Sequence, residues 1–234
     1  MPRRNVLLTG ANRGIGLEFA RQLLARGDHV IATARHPSQA HELGRLIGEH
    51  PGRLHVLPLD VMDPKAEAEV ARELPLILGN ERLDLLINNA GLLHSGERFG
   101  QVPAKNLEDS LRTNAMGPFL LTQAVAPLLA DGAKVANMSS QLGSITNTQS
   151  FGTPTYCISK AALNMATRLL AAALGDRGIA VVSLHPGWVQ TDMGGEQAPV
   201  QPADSVRGLL QVIDRLDIAK SGSFVDWQGK SLPW

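Results

Sequence analysis

Seven short apolar segments, rich in Val, Ile and Leu, alternate along this chain with longer stretches of helical period. They are Asn5–Leu8, His29–Ala34, Leu54–Pro58, Leu83–Asn88, residues 134–138, residues 180–184 and Ser223–Asp226. A strand that is apolar along its whole length needs cover on both faces, and strands separated by helices pair in parallel. The pattern therefore predicts an α/β fold, a doubly wound parallel sheet of about seven strands with helices on both faces. At 234 residues and 25.0 kDa the chain suffices for one sizeable core, so residues 1–234 are expected to form a single domain. Such sheets bind ligands outside the carboxyl ends of their strands. Nearly every chemically suggestive residue falls there: residues 10–16, Arg35, Asp60, residues 88–91, Ser139, Ser140 and residues 186–191.

Directly after the first segment comes Thr9-Gly-Ala-Asn-Arg-Gly-Ile-Gly16. In a Rossmann-type sheet such a turn suits a dinucleotide, because small residues let the backbone approach the pyrophosphate and a helix N-terminus supplies amide donors. Gly10, Asn12, Arg13, Gly14, Ile15 and Gly16 are the candidate contacts. The second segment ends Ala32-Thr-Ala-Arg35. An acidic residue there would bond the ribose hydroxyls of NAD, whereas a basic one accommodates the 2′-phosphate of NADP. Arg35 offers a planar fork to that phosphate, and Arg13 could close on it from the other side. The plainer alternative is that both arginines are ordinary surface charges. NADP(H) is the expected cofactor, since neither Asp nor Glu occupies that place.

Farther along, Tyr156 and Lys160 stand one helical turn apart in Thr155-Tyr-Cys-Ile-Ser-Lys160. A neighbouring ammonium favours the phenolate and is expected to lower the phenol pKa from ~10 towards neutrality. Such a tyrosine can exchange a proton with a carbonyl or an alcohol.

Other classes find little support. Lys+Arg and Asp+Glu number 22 each, so no net charge directs the chain to nucleic acid or an anionic membrane. One cysteine, Cys157, excludes an internal disulfide and a cysteine-based metal cluster and agrees with a reducing, cytoplasmic setting. The seven histidines lack ligand spacing, so no metal is expected. Met-Pro-Arg-Arg-Asn runs straight into Val6-Leu7-Leu8, too short an apolar run for a signal peptide, and no run approaches the ~20 residues of a membrane span. Asp63 before Pro64 reads as a helix cap, and residues 194–202 as a short mobile cover over the site.

Taken in order, the glycine turn, Asn88-Asn-Ala-Gly91, Asn114, Ser140, Tyr156 with Lys160, and Pro186-Gly187 with Thr191 make the chain resemble the classical short-chain dehydrogenases/reductases over nearly all its length. The ending Gly222-Ser-Phe-Val-Asp-Trp-Gln-Gly-Lys-Ser-Leu-Pro-Trp234 and the compact length are similar to sniffer-type carbonyl reductases and bacterial C-factor-like proteins. The resemblance implies strand order 3-2-1-4-5-6-7 and a catalytic tetrad of Asn114, Ser140, Tyr156 and Lys160. It implies that Asp60 accepts from the adenine amino group while the Val61 backbone supports the ring. Asn88, Ala90 and Gly91 would line the ribose and stabilise the strand end, Tyr156 and Lys160 would touch the cofactor, and Pro186, Gly187, Val189 and Thr191 would hold its nicotinamide side.

Under this reading Ser140 donates to the substrate oxygen, with Ser139 the runner-up, and Tyr156 is the general acid in reduction. Pro118 lies four residues beyond Asn114 and lacks the N–H that would bond its carbonyl, which could instead hold a water relaying protons to Lys160. Residues 141–155 make a longer gap between Ser140 and Tyr156 than most family members show. Leu92, Leu93, His94, Gln141, Leu142, Phe151, Trp188 and Met193 are the candidate pocket wall, apolar enough for a ketone, aldehyde or quinone. His94 is expected to be satisfied or solvent-facing, and Cys157 to be packing. The expected function is NADPH-dependent reduction of a small carbonyl to an alcohol. The alternative is a dinucleotide-binding signalling or regulatory protein with little turnover, against which the intact tetrad argues. Related proteins pair through helices at 107–129 and 156–174, so a homodimer or homotetramer is expected.

Overall fold

The computed structural model describes residues 3–234. Seven strands, β1 (Asn5–Leu8), β2 (His29–Ala34), β3 (Leu54–Pro58), β4 (Leu83–Asn88), β5 (Leu129–Met138), β6 (Ala180–His185) and β7 (Ser223–Asp226), form one sheet in the order β3-β2-β1-β4-β5-β6-β7. All pair in parallel. The helices are α1 (Gly14–Ala25), α2 (His41–Glu49), α3 (Pro64–Leu78), α4 (Ala104–Leu111), α5 (Gly117–Val125), α6 (Pro154–Leu174) and α7 (Pro202–Asp214).

Alternation along each strand splits the core in two. Val6, Leu8, Val30, Ala32, Leu85, Ile87, Val182 and Leu184 face α1, α2 and α7. Leu7, Ile31, Leu86, Val135 and Val181 face α3, α5 and α6. Because both faces are covered, the inner strands read as unbroken apolar runs in the sequence.

Two elements differ from the sequence expectation. Strand β5 starts at Leu129 rather than at 134, crossing Asp131 and Gly132 with a register shift opposite Leu83 and Leu85. The helix expected across 107–129 runs on without interruption but carries a wide π turn at Arg112–Met116, between α4 and α5, and ends at Val125. Asp63 does cap α3, accepting from the Lys65 N–H at 2.9 Å.

Candidate active site

The strand order changes direction between β1 and β4, and the crevice at that point is built from the loops after both. Gly10 has φ +64°, a conformation that disfavours any side chain, and a Cβ there would lie 2.9 Å from the Ala90 Cα. A Cβ on Gly16 would collide with the Gly10 carbonyl. Two residues outside the candidate set lock these loops together. The Thr9 hydroxyl accepts from the Asn89 and Ala90 N–H groups at 2.9 and 3.0 Å, while Asn89 Nδ2 donates to the carbonyls of Thr9 and Gly10 at 3.0 and 3.1 Å. Asn89 occurs in the motif, but only the contact across β1 and β4 shows its task. The tight glycine turn, bare of side chains and opening α1, fits a pyrophosphate.

Beyond the turn, Arg35 is exposed and has no ion-pair or hydrogen-bond partner among the described residues. Arg13 instead pairs with Asp192 at 3.2 Å, joining the glycine turn to the loop after β6. Asp60 is exposed and accepts from the Met62 N–H at 3.0 Å, and Val61 packs beneath Gly117. Asn88 points into the protein: its amide donates to Asn137 at 2.8 Å and Thr122 at 3.1 Å, fastening the end of β4 to β5 and α5. It therefore serves the strand end, with its amide turned inward. Gly91 lies by Asn114 Oδ1 and Lys160 Nζ, which a Cβ there would approach to 3.5 and 3.9 Å.

Asn114 sits in the wide turn, where the Gly117 N–H bonds the Arg112 carbonyl and Pro118 follows without an N–H of its own. Its amide grips the Leu92 backbone, accepting from N at 2.8 Å and donating to O at 2.7 Å, and donates to Ser159 at 2.9 Å. Ser139 and Ser140 separate cleanly. Ser139 commits its hydrogen to Asn164 at 2.7 Å, deep beside α6, whereas Ser140 accepts from the Leu142 N–H at 3.1 Å and keeps a hydrogen to donate.

Tyr156 and Lys160 are both buried, on α6. Lys160 Nζ donates to the Met138 carbonyl at 2.7 Å and lies 5.5 Å from the centre of the Tyr156 ring. Burial pushes the phenol up to about 12, against a downward pull from Ser140, and pushes the ammonium down to about 7. The expected lowering of the phenol by Lys160 is thus reversed within the protein's own groups. Desolvation favours the neutral form of both, which opposes the mutual pull expected of a charged pair.

The remaining candidates form two rims. Leu92, Leu93 and His94 are half-buried after β4, the His94 Nε2 enclosed without a partner among the described residues, whereas Gln141, Leu142, Phe151, Trp188 and Met193 are exposed. Gly187, at φ +85°, rests on the Trp227 indole, and the Pro186 carbonyl accepts from Ser205 at 2.6 Å. Val189 is buried and bridges Val200, and Thr191 accepts from the Gly194 N–H at 3.2 Å. Residues 194–202 are therefore knit to the site by backbone bonds rather than hanging free over it. Cys157 is half-buried, its thiol donating to the Gly152 carbonyl at 3.2 Å. Among the described residues no cluster of His, Cys, Asp and Glu could hold a metal, and no helix is long and apolar enough to cross a membrane.

A family profile described as short chain dehydrogenase matches residues 4–201. The chain belongs to the short-chain dehydrogenase family. A structure of NADPH-bound carbonyl reductase from chicken fatty liver superposes with a TM-score of 0.95 at 39% identity, covering 100% of both chains. The carbonyl reductase Sniffer of D. melanogaster also reaches 0.95, at 35% identity over 99% of this chain and 100% of its own. The C-signal protein of Myxococcus xanthus is 45% identical over 154 residues, 65% of this chain and 93% of that protein.

Proposed function

We propose that this short-chain dehydrogenase is an NADPH-dependent reductase of small carbonyl compounds, with Tyr156 as the general acid. The observation that carries the reading is the convergence of Tyr156, Lys160 and a Ser140 with a hydrogen to donate, beside the glycine turn. The NADPH-bound chicken reductase, similar over its full length, supports it. When bound, the cofactor supplies the hydride.

This chain's residues do the rest. Gly10 to Gly16 receive the pyrophosphate, Arg35 meets the 2′-phosphate, Asp60 and Val61 hold the adenine, and the segment from Pro186 to Thr191 flanks the nicotinamide. Ser140 donates to the carbonyl oxygen, where negative charge builds as reduction proceeds. A phenol at about 12 keeps its proton across the neutral range, the state that a general acid for reduction requires. Lys160, at about 7, exchanges protons near neutrality and is suited to restore that proton, through a water on the Asn114 carbonyl. The small substrate, the lone cysteine and the absence of a charge bias fit a single-domain enzyme of the cytoplasm.

The similarity to C-signal favours a second reading, a dinucleotide-binding regulator with little turnover. Fluorescence titration with NADPH and NADH tests the cofactor assignment. NADPH binds more tightly, and Arg35→Ala weakens NADPH by about tenfold or more while leaving NADH within about twofold. Equal affinity for both, unchanged by Arg35→Ala, contradicts it.

A further inference from the structure

We propose that Glu97 is a positioning residue for the reaction: from the loop after β4, its carboxylate holds the first turn of α6 so that Tyr156 meets the carbonyl oxygen. This rests on the reductase reading above. The start of α6 has Pro154 at its first position but no capping side chain of its own. Its N-cap, Thr153, makes no side-chain capping bond, and the first turn carries no acidic residue. Thr153 itself has φ +44°, the one non-glycine residue at positive φ among those described, and an uncomfortable place for a β-branched side chain.

What the helix lacks locally arrives from 58 residues away. Glu97 accepts from the Thr155 N–H at 3.2 Å and from the Thr155 hydroxyl at 2.9 and 3.0 Å. Asn106 of α4 donates to the same carboxylate at 3.2 Å, and Ser110 of α4 donates to the Thr155 hydroxyl at 3.2 Å. A carboxylate thus meets the positive end of α6 and takes one of its unpaired N–H groups, as a capping residue would.

Thr155 immediately precedes Tyr156, so the bond fixes the backbone from which the phenol projects. Glu97 also belongs to the loop that begins with Leu92, Leu93 and His94, and Phe99 of that loop meets Phe151 edge to face at 5.4 Å, across from the stretch leading into α6. One carboxylate therefore joins a pocket wall to the proton donor. A small misplacement of a reacting group can cost on the order of a hundredfold in rate, so such a tether acts on turnover and not only on stability.

The test compares wild type, Glu97→Ala, Glu97→Gln and Thr155→Val, measuring kcat and KM, NADPH affinity, and amide hydrogen exchange at residues 155–157. Glu97→Ala is expected to lower kcat by about ten- to a hundredfold while NADPH affinity stays within about twofold. Glu97→Gln, whose amide oxygen still accepts from the Thr155 N–H, is expected to recover most of that loss. Exchange at 155–157 rises in Glu97→Ala. Wild-type kcat in Glu97→Ala, or equal losses in the Ala and Gln variants, overturns the proposal. If Glu97→Ala does not fold, Thr155→Val decides: a kcat reduced at least about fivefold with NADPH affinity kept supports the tether, and unchanged kcat overturns it. Should wild type reduce no carbonyl, the reductase reading fails on its own, and unchanged exchange at 155–157 separately refutes the tether.

Discussion

Two adjacent serines at the end of β5 have opposite assignments, and a pair of single substitutions separates them. Ser139 gives its hydrogen to Asn164, so Ser139→Ala leaves a buried acceptor unpaired and costs about 1–3 kcal/mol of stability with activity largely kept. In the proposed mechanism Ser140 donates to the charge that builds on the substrate oxygen, so Ser140→Ala is expected to lower kcat by about a hundredfold or more with little change in melting temperature. Steady-state kinetics beside thermal unfolding checks both, and the reverse pattern would exchange their roles. The identities of Tyr156, Lys160, Ser140 and the glycine turn were legible in the sequence because each motif is local. The upward shift of Tyr156 was not: spacing shows that a lysine lies one turn away, but only the structure shows both groups buried, which favours their neutral forms. Glu97 was equally hidden, since nothing in its local sequence points to Thr155.

Among the elements, α3 carries a testable charge. Glu67 is buried on its first turns, and burial, then the nearby Asp63, raises its carboxyl from 4.5 to about 7. The folded state therefore prefers Glu67 protonated. Below pH 4.5 the group costs nothing; between pH 4.5 and about 7 the unfolded chain ionises while the folded one keeps the proton, so stability falls, and above about 7 the full loss remains. Glu67→Gln should raise the melting temperature at pH 8, with the gain shrinking towards pH 4.5, followed by calorimetry across that range. A gain independent of pH would mean that the carboxylate is not the cause. The strands were readable because unbroken apolar runs mark strands covered on both faces. The early start of β5 was not, since Asp131-Gly132 looks like a turn and is carried into the sheet only by pairing between Leu83 and Leu129. The π turn at Arg112–Met116 hardly disturbs the helical period, and Pro118 was its one visible trace.

For the molecule as a whole, the two ends of the sheet are built differently. At the amino ends of the strands, charges are paired: Arg4 bonds Asp28 and Asp214, Arg26 bonds Asp214, and Lys134 donates to the last carbonyls of α7. At the carboxyl ends, Arg35 stands free and Ser140 keeps a hydrogen to donate, which is the division expected when one rim stabilises and the other reacts. The outer face of α6 exposes Ile158, Met165 and Leu169 at 49%, 61% and 56%, positions i, i+7 and i+11 of one stripe, next to a groove of about 210 Å³ shared with Phe119 of α5. This is the face expected to pair. Sedimentation at micromolar concentration should show a dimer or tetramer, and Leu169→Arg should shift it towards monomer; a wild-type monomer would contradict the expectation. Proton delivery by Tyr156 is read out by the rate of NADPH oxidation by wild type and Tyr156→Phe over a panel of ketones, aldehydes and quinones. Wild type should turn over at least one carbonyl, and Tyr156→Phe should lose about a hundredfold or more of that rate with NADPH still bound. Turnover undiminished in Tyr156→Phe, or none by wild type despite tight NADPH binding, would contradict it.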